Sequence, residues 1–269
     1  MAWVGSIAVA QTVPKPGDVA SNCAEHLALS RLAARRSAQV LVFPELSLTG
    51  YELELGPELA FDEWDARLAP LREFAARERM TLIVGAPLRL EGKLHIGAFM
   101  LRGDGGVQVY AKQHLGAFPA HVNPGGPVPP AEGSRFVAGT RTPLFELDGA
   151  IAAVAVCADV GQRSHAELAA AGGAACYLCS MFVIPSDLAE ERARLAGYAQ
   201  QHSMIVAFAN YGGPSGGLPS AGQSAIWSER GESLVELPSA GAGIAVYARN
   251  SSETRAERIL LDDDCSDVR

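Results

Sequence analysis

The stretch Ile151-Ala-Ala-Val-Ala-Val-Cys157-Ala158-Asp159 is an unbroken apolar run that ends on a thiol and an acid, with Gly161 close behind. A short continuous apolar run closed by a turn residue reads as a buried β-strand. Its end places a small nucleophile at the lip of a rigid element. There the strand fixes the backbone and the following loop leaves room for a substrate. Free cysteine also packs as a small hydrophobe in ordinary cores, so the strand alone leaves both readings open.

Outward from this strand, β and α patterns alternate in both halves of the chain. In the first half, Ile7 to Gln11 reads as a strand, and Gly17-Asp18 opens a helix whose Ala20, Cys23, Ala24, Leu27, Ala28 and Leu32 recur at helical spacing. Val40 to Phe43 is a short buried strand. A second helix is expected from about Asp62, with Trp64, Leu68, Leu71, Phe74 and Ala75 on one face. Strands follow at 81–86, 94–101 and 107–110, the last two joined as a hairpin through Gly103-Asp104-Gly105-Gly106. A proline- and glycine-rich loop then runs from about Gly116 to Thr142. A loop of that length between ordered elements reads as a lid or pocket wall.

The second half repeats the logic. Strands are expected at 145–147, 151–156, 174–180, 204–209, 221–227, 233–236 and 243–248, with helices at 164–170 and 187–202, the latter started by Ser186. Two similar halves predict an α/β fold: a four-layer αββα sandwich of two mixed β-sheets with helices outside. No linker interrupts the pattern, so residues 1–269 read as one domain, with about 250–269 as a C-terminal tail that turns acidic from Leu261.

Composition narrows the function. The chain has 269 residues, 48% hydrophobic and 19% charged, which is a globular balance. A formal net charge of -8 with no basic block argues against nucleic acid and anionic membranes as partners. The N-terminal residues lack the basic flank of a signal peptide and read as a first strand. No window long enough to span a bilayer is free of charges and turn residues. Five cysteines, an odd number, do not resemble a disulfide scaffold, and a reducing, cytoplasmic location is expected. Cys176-Tyr-Leu-Cys179 has redox or zinc spacing. It lies inside an apparent buried strand, where positions three apart face opposite sides, and has no partner pair, so packing is the favoured reading.

A thiol needs a base to take its proton and a donor to hold oxyanion charge. Two other strand ends offer them. Glu45 follows an apolar strand and Pro44, where partial burial would raise its pKa into the range of a general base. It reads equally as a loop carboxylate accepting from nearby backbone. Lys112 closes a hairpin strand just before the long loop and can donate to an oxyanion, although most lysines at strand ends are simply solvated. His114 beside it reads as a structural hydrogen-bonding residue. Gly212-Gly213-Pro214-Ser215-Gly216-Gly217 lacks the lysine of a phosphate loop and reads as a turn near the site mouth.

Together, Pro44-Glu45 with Thr49-Gly50-Tyr51, Lys112-Gln113-His114-Leu115, and Cys157-Ala158-Asp159 after its apolar strand resemble the nitrilase superfamily of carbon–nitrogen hydrolases. The resemblance runs from Ile7 to about Ala248. It implies a Glu–Lys–Cys triad: Glu45 as general base, Lys112 as oxyanion donor and Cys157 as nucleophile, aided by the backbone N–H of Ala158. It further implies that Glu132, in Glu132-Gly-Ser-Arg-Phe136, orients Lys112, although a loop surface charge is the plain alternative. Asn210 and the later Gly222-Gln-Ser224 fit the family pattern.

The implied activity is a cofactor-free, metal-free amidohydrolase acting through a thioester on a small amide. Nitrile and N-carbamoyl substrates, and a catalytically silent binding protein on the same fold, are the alternatives. A homodimer or larger homo-oligomer is implied. Tyr51, Phe118, Met181 and Phe182 are expected in the substrate pocket. An acidic substrate would call for Arg135, Arg141 or Arg163 there. The chain departs from the family at Ala158, often aromatic, and at Val160-Gly161-Gln162-Arg163, where many members continue with arginine and Pro-Glu. These positions shape the pocket, so the resemblance speaks to reaction class and not to substrate.

Overall fold

The computed structural model describes residues 4–264. The first half runs β1 (Gly5–Gln11), α1 (Val19–Arg35), β2 (Val40–Val42), α2 (Gly56–Leu59), α3 (Ala69–Glu78), β3 (Thr81–Leu90), β4 (Lys93–Leu101) and β5 (Val107–Ala111). The second runs β6 (Leu144–Leu147), β7 (Ala150–Val156), α4 (Arg163–Ala171), β8 (Ala174–Ser180), α5 (Leu188–His202), β9 (Ile205–Ala209), β10 (Ala225–Trp227) and β11 (Ser233–Glu236). The chain then returns to the first sheet through β12 (Gly243–Arg249) and β13 (Thr254–Leu260), followed by α6 (Leu261–Asp264). One sheet has the order β13-β12-β1-β2-β3-β4-β5 and the other β11-β10-β9-β8-β7-β6. Both are mixed: β1, β2 and β3 pair in parallel, as do β7, β8 and β9, and antiparallel strands flank them.

The four layers follow from the two-residue period of strands. Ile7 and Val9 of β1 belong, with Ala152, Val154 and Val156 of β7, to one core between the sheets. Their neighbours Ala8 and Ala10 face the other way, against Leu29 and Leu32 of α1. On the second sheet Ala153 and Ala155 pack with Ala166 and Ala169 of α4 and Leu195 of α5. Every central strand is therefore apolar on both faces, which is why each reads as a continuous hydrophobic run. Cys176 lies in the core between the sheets and Cys179 in the helix layer, so the pair shares neither a disulfide nor a metal.

Four expectations need correction. Residues 250–269 are not simply a tail, because Thr254–Leu260 forms β13, an edge strand paired antiparallel to β12 from Thr254 opposite Arg249 to Leu260 opposite Gly243. Residues 265–269 lie outside the described residues. Trp64 is not on a buried helical face. It is 56% exposed with the Arg72 guanidinium 4.8 Å above its ring, and α3 starts later, with Pro70 in its first turn. The strand expected from 221 starts only at Ala225, since Gly222 and Gln223 both adopt left-handed backbone. Finally, Ser186 does not cap α5: Asp187 occupies the N-cap position, and the Ser186 hydroxyl donates to its carboxylate instead.

Gly85 ties the fold to the site. It sits in β3 against the turn that carries Glu45, donating to Ser47 Oγ at 3.2 Å and accepting from Leu48 N–H at 2.9 Å. A Cβ there would lie 2.4 Å from Leu46 N and 2.6 Å from Pro44 O, and backbone cannot yield as a flexible side chain can. We expect Gly85→Ala to destabilise the protein by about 1–3 kcal/mol, as overpacking does. Urea unfolding reads this directly, and an unchanged midpoint would show that the turn is looser than described.

Candidate active site

The strand ends named above converge. Lys112 follows β5, Glu45 follows β2, and the long loop brings Glu132 back to them. All three side chains are buried. Lys112 Nζ donates to Glu45 Oε1 at 2.6 Å and to Glu132 Oε1 at 2.7 Å. Such burial costs several kcal/mol per ion and persists only where hydrogen bonds replace water. Burial works against the Lys112 charge, but the Glu45 and Glu132 carboxylates outweigh it and raise its pKa, so it stays an ammonium.

The two carboxylates are not equivalent. Both oxygens of Glu132 hold donors: Oε1 also accepts from Tyr51 O–H at 2.6 Å, and Oε2 accepts from Gly116 N–H at 2.6 Å. Glu45 uses Oε1 for Lys112, while its buried Oε2 has no hydrogen-bond partner. A buried carboxylate oxygen without donors favours the protonated form. Accordingly, burial pushes the Glu45 pKa up to about 7, with the Lys112 charge opposing the rise and Glu132 adding to it. Glu45 is thus the group whose free oxygen can exchange a proton near neutral pH.

Cys157 sits where β7 ends and a single 3-10 turn begins. Its φ of 43° is left-handed, a conformation that costs a non-glycine residue about 1–3 kcal/mol and turns the chain sharply enough to free the side chain from the strand. The thiol donates to the Phe182 carbonyl at 3.7 Å. Burial first, then the Glu45 charge, raises the thiol pKa well above its usual value. The resting group is therefore a thiol. Ala158 is the second residue of this 3-10 turn, where a backbone N–H has no partner within the turn, and it lines the cavity beside Cys157.

That cavity has a volume of about 210 Å³, below the roughly 300–1,000 Å³ of sites for drug-sized ligands. It suits a small molecule. Tyr51, Phe118, Met181 and Phe182 all line it. The three rings pack on one another with centroids 5.0–5.7 Å apart, forming one aromatic wall. Gly116 to Pro119 and Glu132 contribute the long loop, which is a pocket wall. Behind the wall, Ser215 Oγ accepts from Tyr51 N–H at 2.7 Å, and Asn210 holds both backbone groups of Val183, so the glycine-rich loop braces the pocket. Arg135, Arg141 and Arg163 are not in the cavity. They pair at the surface with Glu54, Glu91 and Glu167.

Asp159 has a role that its sequence position did not reveal. Fully buried, it accepts from Gln113 N–H at 3.1 Å, His114 N–H at 2.8 Å, Val156 N–H at 3.1 Å and Tyr110 O–H at 2.8 Å. It therefore staples the strand end that carries Lys112 to the elbow that carries Cys157. His114 Nδ1 also contacts this carboxylate at 3.0 Å, in keeping with a structural histidine.

This chain belongs to the carbon–nitrogen hydrolase family, whose model matches residues 6–258. It is similar to an amidase from Nesterenkonia sp. AN1, at 25% identity and a TM-score of 0.76 over 92% of this chain and 93% of that one. A cysteine-to-alanine variant of that amidase in complex with butyramide aligns at 26% identity and a TM-score of 0.75, covering 90% of this chain and 89% of that one. The glutamine-dependent NAD(+) synthetase of Mycobacterium tuberculosis is 29% identical over an alignment of 265 residues that covers 91% of this chain and 39% of the synthetase. The chain thus spans about two fifths of that relative's length. Among the described residues, no helix is long and apolar enough to cross a membrane.

Asp159→Ala strips the acceptor from four buried or half-buried donors. We expect a loss of at least about 3 kcal/mol of stability, several hydrogen bonds to a charged group being broken at once. Asp159→Asn, which keeps one acceptor oxygen, should lose less. Thermal unfolding of both variants measures this, and equal stability of Asp159→Ala and wild type would remove the staple.

Proposed function

We propose that this protein is an amidase that cleaves a small amide through a thioester on Cys157, releasing ammonia or an amine. One observation carries the reading: a buried ammonium, Lys112, lies between two buried carboxylates of which only Glu45 keeps a free oxygen, and Cys157 shares the wall of a small cavity with the other, Glu132. The amidase among its structural neighbours supports the substrate class.

In this reading Glu45 takes the thiol proton as Sγ attacks the amide carbon. The C–O π electrons move onto oxygen, and that oxyanion is held by the Lys112 ammonium and the Ala158 N–H. Collapse breaks the C–N bond, and the nitrogen leaves with the proton from Glu45. Water then attacks the thioester as Glu45 accepts its proton. The second oxyanion expels the thiolate, and the proton returns from Glu45 to Sγ. Each proton that enters Glu45 leaves again, so the carboxyl ends ionised as it began and no cofactor takes part. Glu132 never faces the reacting atoms as a free base. It fixes Lys112 and Tyr51.

A second reading is hydrolysis of glutamine, supported by the similarity to glutamine-dependent synthetases. Nitriles and N-carbamoyl compounds would use the same three residues. We include in the proposal a cytoplasmic location and a homodimer or larger homo-oligomer, which light scattering would reveal.

The test is a hydrolysis screen over short amides, glutamine, N-carbamoyl amines and nitriles. Short amides should turn over, and Cys157→Ala should abolish turnover while the unfolding midpoint stays near wild type. Glu45→Gln should cost about 10²–10⁴-fold in kcat, the range for a lost general base. Wild-type turnover by Cys157→Ala, or inertness of the protein toward every class, would falsify the proposal.

The pH dependence has a definite sign. Glu45 is active only when ionised, and its pKa is raised to about 7. Activity is therefore full above that value and is lost as pH falls through it. The kcat/KM profile should show an acid limb with its midpoint near 7. A limb near the ordinary glutamate value would mean that Glu45 is not the base.

A further inference from the structure

The cavity carries charge that the chemistry above does not use. Asp187 and Glu191 line it, one helical turn apart at the start of α5. No lysine, arginine or histidine is among its lining residues, and Lys112 behind it is already shared by two carboxylates. Two details set these acids apart from ordinary helix-start residues. Asp187, exposed at the N-cap position, makes no capping hydrogen bond, and its carboxylate accepts from the Ser186 hydroxyl instead. Glu191 Oε2 is buried and has no hydrogen-bond partner, although Oε1 accepts from Arg194. Arg194 does not cancel the charge, because it also donates to Glu190 at 2.6 Å. The N-terminal end of α5 favours negative charge at this place.

We infer that the cavity selects amides that carry a protonated amine at the far end of a short chain, with Asp187 and Glu191 receiving the ammonium. The aromatic wall of Tyr51, Phe118 and Phe182 flanks the methylenes between. An amide bearing a carboxylate at that end meets two like charges and no cation, and is rejected. The arginines that an acidic substrate would call for, Arg135, Arg141 and Arg163, lie outside the cavity and are paired at the surface. The inference rests on the amidase reading of the same site.

Three matched four-carbon amides test it: butyramide, 4-aminobutyramide and the monoamide of succinic acid. At physiological salt, kcat/KM for 4-aminobutyramide should exceed that for butyramide about tenfold, and the succinic monoamide should fall below butyramide by a similar factor. These are the sizes expected of one or two partly screened charge pairs. In the double variant Asp187→Asn, Glu191→Gln, the ratio of 4-aminobutyramide to butyramide should fall toward one.

A second readout needs no turnover. Cys157 alkylation by anionic iodoacetate, relative to neutral iodoacetamide, should be about tenfold slower than for a free thiol in solution, and the double variant should relieve this. Turnover of butyramide without a preference for the ammonium, or with one that survives the double variant, overturns the charge selection and leaves the amidase reading standing. Failure of all three amides to turn over or to acylate Cys157 removes the amidase reading and the inference with it.

Discussion

The site is organised by one interaction, the Lys112 ammonium buried between Glu45 and Glu132. A lysine sealed from water is tolerable only where fixed acceptors replace its hydration, and two carboxylates at 2.6 and 2.7 Å do so. The same contacts divide labour between the acids. Glu132 is saturated by Lys112, Tyr51 and Gly116 and holds geometry. Glu45 is left with one bare oxygen and a pKa near neutrality, so it can move protons. Because all three members come from segments remote in sequence, the cluster also joins β2, β5 and the long loop. The fold and the chemistry therefore share one set of bonds.

The elbow at Cys157 depends on a second buried carboxylate. Asp159 gathers donors from the end of β5 and from the elbow itself, which fixes Cys157 relative to Lys112. Rigidity of this kind is what a thiol of raised pKa requires. Such a thiol reacts only when its proton is removed as it attacks, and that demands constant geometry with the base.

Much of this was legible in the sequence, for physical reasons. Strands buried on both faces produce continuous apolar runs, so β7, β8 and β9 were readable to within a residue or so. Glu45, Lys112 and Cys157 were each ambiguous alone at a strand end, and only the three segments together pointed to one site. Glu132 was reached only through the family resemblance, since a loop glutamate carries no local signature. What was not readable depended on partners distant in sequence. β13 escaped because Thr254, Arg255, Glu257 and Arg258 look like a solvated tail. Charged residues are a common device on exposed edge strands, and only pairing with β12 reveals one. Trp64 was misplaced because apolar spacing does not tell a helix from an exposed turn. Nothing in the sequence singles out Asp187 and Glu191, and only the fold sets them in the wall of the cavity that holds Cys157.

The central claim is that Cys157 is acylated by an amide whose nitrogen leaves through Glu45. Intact-mass and peptide analysis of acid-quenched protein during turnover of a short amide tests it most directly. The account predicts an added mass equal to the acyl group, confined to the peptide containing Cys157 and absent from Cys157→Ala. Amide hydrolysis at full rate with no acyl mass on that peptide, or with the mass on another residue, would contradict it.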